Sequence, residues 1–263
     1  MPGNDFELVK KLLPIIFVID TSGSMSGTYI ASVNEAMEDT LDTLKAVAEE
    51  NADAEVLIGA LSFSTGCKWL TNGLLTSDDF YWNPVDATGL TDLGAALDEL
   101  NKKMSRSAFF ANKVGYNRPV LIFMTDGFPN DDWEKALDRI KQNKWFVNSI
   151  KVGIAIGADA DQDVLIKVIG DREGLIEVNN QVQLKNMIKK ISLSASKIGS
   201  VSRPPEAGSA AKDIVKDATS DEDDVITNFD DDNDQFGNPV TPTSDTADTS
   251  VPDPDGGWDD GGW

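Results

Sequence analysis

The sequence predicts an α/β fold in which a mostly parallel sheet carries helices on both faces, followed by an acidic tail. Short apolar runs, such as residues 14–19, are typical of strands buried on both faces of a sheet. Amphipathic stretches with apolar residues three and four positions apart separate these runs and indicate helices. Strands that alternate with helices in this way favour parallel pairing.

The predicted strands are short apolar segments, most of them followed by polar or glycine-containing turns. The first ends at Asp20, and a short edge strand follows the turn at Thr65-Gly66. We predict strands over residues 14–19, 55–63, 68–70, 119–124, 150–156 and 175–178.

The predicted helices come from apolar residues that recur with helical spacing. Ile30, Val33, Met37, Leu41 and Leu44 form one such series. We predict helices over residues 30–47, 93–104, 133–142, 162–169 and 182–198.

Composition divides the chain near residue 200. Residues 200–263 hold 17 acidic against three basic residues and few large apolar ones, so they bury too little surface to offset chain entropy. We therefore predict a folded domain over residues 1–199 and a disordered acidic tail over residues 200–263. The tail closes with a repeated Gly-Gly-Trp unit that contains Trp258 and Trp263, and exposed tryptophans are frequent binding anchors.

Charge and residue content exclude several function classes. The formal net charge of −22 argues against binding to nucleic acid or to anionic membranes, because a basic face is needed to displace counterions. The absence of histidine excludes histidine-based catalytic pairs and zinc sites with histidine ligands. A metal ion would therefore be bound by oxygen, which favours Mg²⁺, Mn²⁺ or Ca²⁺.

The same counts suggest a location. Cys67 is the one cysteine, residues 1–14 lack the apolar core of a secretory signal, and no long apolar run is present. We expect a cytoplasmic protein with no membrane span, in which Cys67 is an edge residue rather than a reactive thiol.

Polar residues follow three of the predicted strands, where ligands bind in open α/β sheets. Asp20, Ser22 and Ser24 lie on a glycine-containing turn after the first strand, Thr91 follows Gly89 in a later loop, and Asp126 follows the strand at 119–124. Asp and Ser are also ordinary helix caps, Asp92 could replace Thr91 at the site, and Thr-Asp-Gly can be a simple turn. All three groups occur in order at strand ends, which favours a shared site.

Taken together, the run Asp20-Thr-Ser-Gly-Ser24, the Thr91 loop and Thr125-Asp126-Gly127 resemble the von Willebrand factor A family, over about residues 12–199. The resemblance implies a Rossmann-like three-layer αβα sandwich and a metal-ion-dependent adhesion site (MIDAS). It implies hydroxyl ligands from Ser22, Ser24 and Thr91, carboxylates from Asp20 and Asp126, and Mg²⁺ or Mn²⁺ as the ion. An open coordination position would accept an Asp or Glu of a protein partner.

The sequence departs from the family at position 90, where Leu90 stands in place of a second glycine. We expect the Leu90 side chain to cover part of the site or to contact the partner. The pattern made by Leu13-Pro14, the run from Asp20 to Gly27 and the run from Thr125 to Glu134 further resembles the bacterial TerY group, which implies a regulator or scaffold in a tellurite-resistance or stress-response system. Its implied partners are a protein kinase and a metal-dependent phosphatase.

Two other functions compete with the binding module. A bound Mg²⁺ or Mn²⁺ could activate water in a phosphohydrolase, although the chain lacks an Asp-x-Asp nucleophile motif and a Walker A loop. The chain could instead be a structural subunit recruited through its tryptophan-containing tail, or the tail could return a carboxylate to the chain's own metal. The binding module without catalysis is the interpretation that the three loops favour.

Overall fold

A computed structural model describes residues 10–50, 54–111, 115–201 and 205–220 of the chain. In these segments the strands are β1 (Lys11–Asp20), β2 (Ala54–Ser64), β3 (Gly66–Trp69), β4 (Leu75–Thr76), β5 (Val120–Thr125), β6 (Ile150–Ile156) and β7 (Leu175–Val178). The helices are α1 (Thr28–Glu50), α2 (Leu93–Lys103), α3 (Trp133–Ile140), α4 (Lys144–Asn148), α5 (Gln162–Ile169), α6 (Gln181–Ser200) and α7 (Ala207–Thr219).

The strands form one sheet with the order β3-β2-β1-β5-β6-β7, and β4 also pairs with β2. β1 lies at its centre and pairs in parallel with β2, from Lys11 opposite Ala54 to Asp20 opposite Phe63. On its other side β1 pairs in parallel with β5. Only β3 and β4, which both pair with β2, are antiparallel within the described residues. The predicted mostly parallel α/β sheet is thus confirmed.

Helices cover both faces of the sheet and form two apolar cores. Ile15, Phe17 and Ile19 of β1 belong to a core shared with α1, α6 and α7. Ile16 and Val18 point to the opposite face and join a core shared with α2, α3, α4 and α5. Because alternate residues of β1 enter different cores and residues 12–19 are all buried, this part of the strand is apolar throughout, as the sequence indicates.

The strand order reverses beside β1, since the chain passes from β1 to β2 on one side and later returns to β5 on the other. The carboxyl ends of β1 and β5 are therefore where an open α/β sheet offers a binding crevice. The predicted strands and long helices agree with the observed ones to within a few residues at each end. Sequence reasoning missed α4 and β4, which have five and two residues.

The predicted disordered tail is wrong for its first part. Residues Ala207–Thr219 form α7, and Ala210, Ala211, Ile214 and Ala218 are buried in the core next to α6. These side chains recur with helical spacing, but three of them are alanines, so little apolar bulk marks the helix in the sequence. The boundary predicted at residue 200 therefore falls at the end of α6 and not at the end of the fold. Residues 221–263, including the tryptophan repeat, lie outside the described residues.

Among the described segments, no helix combines the length and the apolar character that crossing a bilayer requires.

Candidate metal site

Asp20 ends β1 and is fully buried at the crevice between β1 and β5. Its Oδ1 accepts a hydrogen bond from the backbone N–H of Ser22, at 2.8 Å. Its Oδ2 accepts one from the Thr125 hydroxyl at the end of β5, at 2.5 Å. The parallel pairing of Ile19 with Met124 places these two strand ends side by side. The carboxylate is thus fixed by donors from both central strands.

Asp126 lies just beyond β5 and meets the turn that follows β1. Its Oδ1 accepts a hydrogen bond from the Ser24 hydroxyl at 2.8 Å, although 102 positions separate the two residues. The Ser24 and Ser22 hydroxyl oxygens are 3.0 Å apart. Ser22 and Asp126 are buried, and Ser24 is open to solvent. The structure therefore brings together Asp20, Ser22, Ser24 and Asp126, four of the five predicted ligands.

Thr91, the fifth predicted ligand, is buried in a loop that is tied to both other loops. Its backbone N–H donates to Asn130 Oδ1, and the Asn130 N–H donates back to the Thr91 carbonyl, both at 2.9 Å. On the other side of the loop, the Gly23 N–H donates to the Gly89 carbonyl at 3.1 Å. The backbone around Thr91 is therefore fixed between the Ser22–Ser24 turn and the segment after Asp126.

Gly89 is required by this arrangement. Its φ of +86° lies in the left-handed region, and a Cβ at this position would come within 2.6 Å of the Thr65 hydroxyl. That hydroxyl accepts a hydrogen bond from the N–H of Leu90. The backbone at Gly89 thus makes a tight turn, and Leu90 projects into solvent with 53% of its surface exposed.

Asp92, the alternative to Thr91, has another role. Its Oδ2 accepts a hydrogen bond from the Gly66 N–H at the start of β3, at 2.7 Å. The N-terminus of α2 is instead capped by Asp131, whose carboxylate accepts from the N–H groups of Gly94 and Ala95, both at 2.9 Å. Sequence reasoning did not identify Thr125, Asn130 or Asp131 as supporting residues. Asn130 and Asp131 lie five and six positions after the end of β5, and such a spacing is a weak signal for these bonds.

The two carboxylates lie in an environment that favours their protonated forms. Burial raises the pKa of Asp20, although hydrogen bonds from Ser22 and Thr125 act against it. Burial also raises the pKa of Asp126 to about 6, with the nearby negative charge of Asp20 adding to the effect. The ion pairs formed among the described residues do not include either carboxylate. A buried acidic pair without a basic partner is a place where a cation is electrostatically favoured.

The donor set suits a hard divalent ion. It offers two carboxylates and neutral hydroxyl oxygens, which are the ligand types that Mg²⁺ and Mn²⁺ prefer. No group of three or more Cys, Asp and Glu side chains placed to hold an ion occurs in the described parts of the chain. A metal here would therefore depend on serine and threonine hydroxyls as well as on Asp20 and Asp126.

Cys67 lies on the edge strand β3, as expected. Its thiol donates to the carbonyl of Ala95 at 3.3 Å. Burial, followed by the negative charge of Glu99, raises the pKa of the Cys67 thiol. Both effects disfavour the reactive thiolate.

Comparison with known proteins places the fold in a family. The sequence model of the von Willebrand factor type A domain family matches residues 15–190 of the chain. Heavy chain H2 of the inter-alpha-trypsin inhibitor from Sus scrofa is 28% identical over 200 residues, covering 68% of this chain and 20% of that protein. The chain thus spans about a fifth of that relative's length.

Solved structures share the fold at low identity. Proximal thread matrix protein 1 from the mussel byssus, in a structure with a zinc-occupied MIDAS motif, superposes with a TM-score of 0.55 and 18% identity, covering 71% of this chain and 48% of that one. The pilus adhesin SpaC from Lactobacillus rhamnosus GG, in its open conformation, gives a TM-score of 0.54 at 12% identity, covering 72% of this chain and 30% of that one.

Proposed function

Because this chain belongs to the von Willebrand factor type A domain family, we propose that it is a metal-ion-dependent protein-binding module. The proposed ligands are Asp20, Ser22, Ser24, Thr91 and Asp126. The observation that carries the proposal is the buried Asp20–Asp126 pair, joined by serine hydroxyls and lacking a basic partner among the described residues.

Each proposed ligand contributes oxygen from a fixed position. Asp20 is held by Ser22 and Thr125, so its carboxylate cannot rotate freely. The Ser24 hydroxyl already contacts Asp126 and is open to solvent, so the site can be reached from outside the sheet. A bound divalent ion would supply positive charge and a coordination position for an incoming Asp or Glu side chain. We propose Mg²⁺ or Mn²⁺ as the ion, while zinc is the ion in the mussel protein's structure.

Calorimetric titration of the full chain with Mg²⁺, Mn²⁺ and Zn²⁺ tests the site. We expect one ion to bind per chain, and binding to be lost in Asp20→Asn and Asp126→Asn, which keep the shape of the side chain and remove its charge. Asp138→Asn, an exposed position on α3, is the matched control and should bind as the native chain does. Equal affinity in all four proteins would contradict the assignment.

The protein-binding role has its own test. A pull-down with the native chain should retain a partner in Mg²⁺ and release it in chelator, and Asp20→Asn should retain none. A Mn²⁺-dependent phosphoesterase activity that disappears in Asp20→Asn would instead favour the phosphohydrolase.

For the biological setting, we propose a cytoplasmic regulator or scaffold in a tellurite-resistance or stress-response system. The support is the resemblance of Leu13-Pro14, of the run from Asp20 to Gly27 and of the run from Thr125 to Glu134 to the TerY group. Its expected partners are a protein kinase and a metal-dependent phosphatase. Recovery of neither class in the Mg²⁺-dependent eluate would contradict this setting and leave the metal-dependent module intact.

A further inference from the structure

Two large apolar side chains stand exposed on the loops that carry the candidate ligands. Leu90 directly precedes Thr91 and is 53% exposed, and Phe128 lies two positions after Asp126 and is 66% exposed. The reciprocal backbone hydrogen bonds between Thr91 and Asn130 hold these two loops together. Exposed apolar side chains beside a polar site are typical anchors for a binding partner. The candidate metal site thus has an apolar rim, formed by Leu90 and Phe128.

A groove of about 440 Å³ opens on the β2 side of the same site. Thr21, which lies between Asp20 and Ser22, is one of its lining residues. The remaining walls combine apolar, hydroxyl and charged side chains, among them Lys68, Leu70, Val85 and Asp86. Lys68 is exposed and forms no ion pair with any other described residue. The groove therefore offers one cation, Lys68, and a few apolar side chains in a largely polar wall that Thr21 connects to the Asp20–Ser22 turn.

The candidate metal site, the apolar rim and the groove together favour a ligand that carries carboxylates and large apolar groups close together. The segment from Asp255 to Trp263 has this composition, with the sequence Asp-Gly-Gly-Trp-Asp-Asp-Gly-Gly-Trp. Asp259 and Asp260 can serve an ion and Lys68, and the flanking indoles of Trp258 and Trp263 match the apolar rim and groove. The glycines allow the segment's backbone to approach the loops closely.

We propose that the segment Asp255–Trp263 docks on the metal site of its own chain, with an aspartate at the ion and its tryptophans against the apolar rim and the apolar side chains of the groove. This proposal rests on the proposed metal-binding function. It gives the site an intramolecular occupant that an external acidic partner must displace.

Chain length permits this contact. α7 ends at Thr219 and packs against α6 and β6, and the described part of the chain ends at Ser220. Trp258 follows Ser220 by 38 positions, which at about 3.3 Å per residue span on the order of 100 Å when extended. A domain of this size has a radius of gyration of about 16 Å. A segment tethered in this way reaches an effective concentration in the mM range, so even weak docking is populated.

The charge of the segment makes docking depend on the ion. Asp20 and Asp126 repel further carboxylates when no cation lies between them, and the whole chain carries a net charge of −22. A divalent cation reverses the sign of the local interaction. We therefore expect the segment to occupy the site only in the metal-bound protein.

Fluorine NMR of the full chain labelled with 5-fluorotryptophan tests the contact. The six resonances are assigned with single Trp→Phe variants. On saturation with Mg²⁺, the Trp258 and Trp263 resonances should shift, and Mn²⁺ should broaden them strongly because a paramagnetic ion relaxes nearby nuclei. Trp145, which packs among Phe110 and Tyr116 away from the site, serves as the internal reference.

Two full-chain variants separate docking from metal binding. Asp259→Asn with Asp260→Asn, and separately Lys68→Glu, should keep Mn²⁺ binding by calorimetry and lose most of the broadening at Trp258 and Trp263. Lys141→Glu, an exposed position after α3, makes the same charge change elsewhere and should behave as the native chain.

The outcomes distinguish the two proposals. Absence of Mn²⁺ binding to the native chain would overturn the metal site itself. Mn²⁺ binding without broadening at Trp258 and Trp263 would overturn the docking alone. Broadening that grows with protein concentration would show that the segment comes from a second copy, which would overturn the intramolecular contact.

Discussion

Asp20 and Asp126 are held by hydroxyl and amide donors but lack a basic partner among the described residues, so their ionised forms are costly in the metal-free protein. At Asp126 this cost in folding stability depends on pH, because the pKa of its carboxyl rises from 3.8 to about 6 on folding. The native state binds the proton more tightly than the unfolded chain, so stability falls as pH rises from about 4 to 6 and the cost is complete above pH 6.

Asp126→Asn should therefore stabilise the metal-free protein at pH 7.5. We expect a gain of about 2 kcal/mol in the free energy of unfolding, measured by urea titration in chelator, because the amide is neutral and can still accept from Ser24. The gain should vanish near pH 4, where the native carboxyl is also neutral. Asp138→Asn should show no such pH dependence, and a pH-independent gain in Asp126→Asn would point to packing rather than to charge.

At the residue scale, the sequence predicted where these side chains lie in the fold but not the hydrogen bonds that they form. Asp20, Ser22, Ser24 and Asp126 follow strands whose apolar runs are unmistakable, so their place at the sheet edge could be foreseen. The bonds from Thr125 to Asp20 and from Thr91 to Asn130 join residues distant in sequence. Such bonds depend on how strands and loops align in space, which no local pattern encodes.

The loops of the site are coupled to one helix, α2. Its first N–H groups donate to Asp131, and Gly94 allows this carboxylate to approach. A Cβ at position 94 would lie 2.8 Å from Asp131 Oδ2 and 2.9 Å from the Trp133 Cα. The start of α2 and the segment after Asp126 can therefore be adjacent only with glycine at this position.

Gly94→Ala should lower stability although alanine is the better helix former. We expect a loss of about 1–3 kcal/mol, since the new methyl group forces Asp131 away and leaves helix N–H groups without their acceptor. Weaker Mn²⁺ binding should accompany the loss. Gly208→Ala is the matched control, because its Cβ would meet only Asp171 Oδ2 at 3.9 Å, and should raise stability by about 0.5–1 kcal/mol. The same sign for both changes would contradict this account.

α7 packs against the rest of the fold mainly through small side chains. Ile214 is its one large fully buried side chain. Ile214→Ala should cost about 2–5 kcal/mol in urea unfolding, because the cavity is lined by residues of α6 and β6 that cannot fully close it. Lys216→Ala, on the exposed face of α7, should change stability by less than about 0.5 kcal/mol. A small loss at Ile214 would mean that α7 contributes little to the core.

Long helices and strands could be predicted from the sequence pattern, whereas short or alanine-rich ones could not. β1 and α1 are long and strongly apolar on their buried faces, and both were predicted within a few residues. α7 buries mainly alanines in an acidic region, so the acidic composition of this region indicated disorder although its buried residues recur with helical spacing. β4 has two residues and exists only because β2 offers an edge to pair with.

For the whole molecule, an ion at the site should stabilise the fold by mass action. A ligand at a hundred times its dissociation constant adds about 2.7 kcal/mol when it binds only the native state. We expect saturating Mg²⁺ or Mn²⁺ to raise the melting temperature of the native chain by several degrees, on the order of 2–4 °C per kcal/mol. Asp20→Asn should show no response, and an equal rise in both proteins would indicate nonspecific screening of the net negative charge.

The position of β1 between two parallel neighbours also bears on mechanical strength. Tension applied through a partner held at Asp20 would pull along β1, and the hydrogen-bonded ladders to β2 and β5 lie on either side of it. Extracting the strand would require both ladders to shear together. A single coordinate bond to an outside carboxylate should yield first, so that under load the partner is released and the domain stays folded.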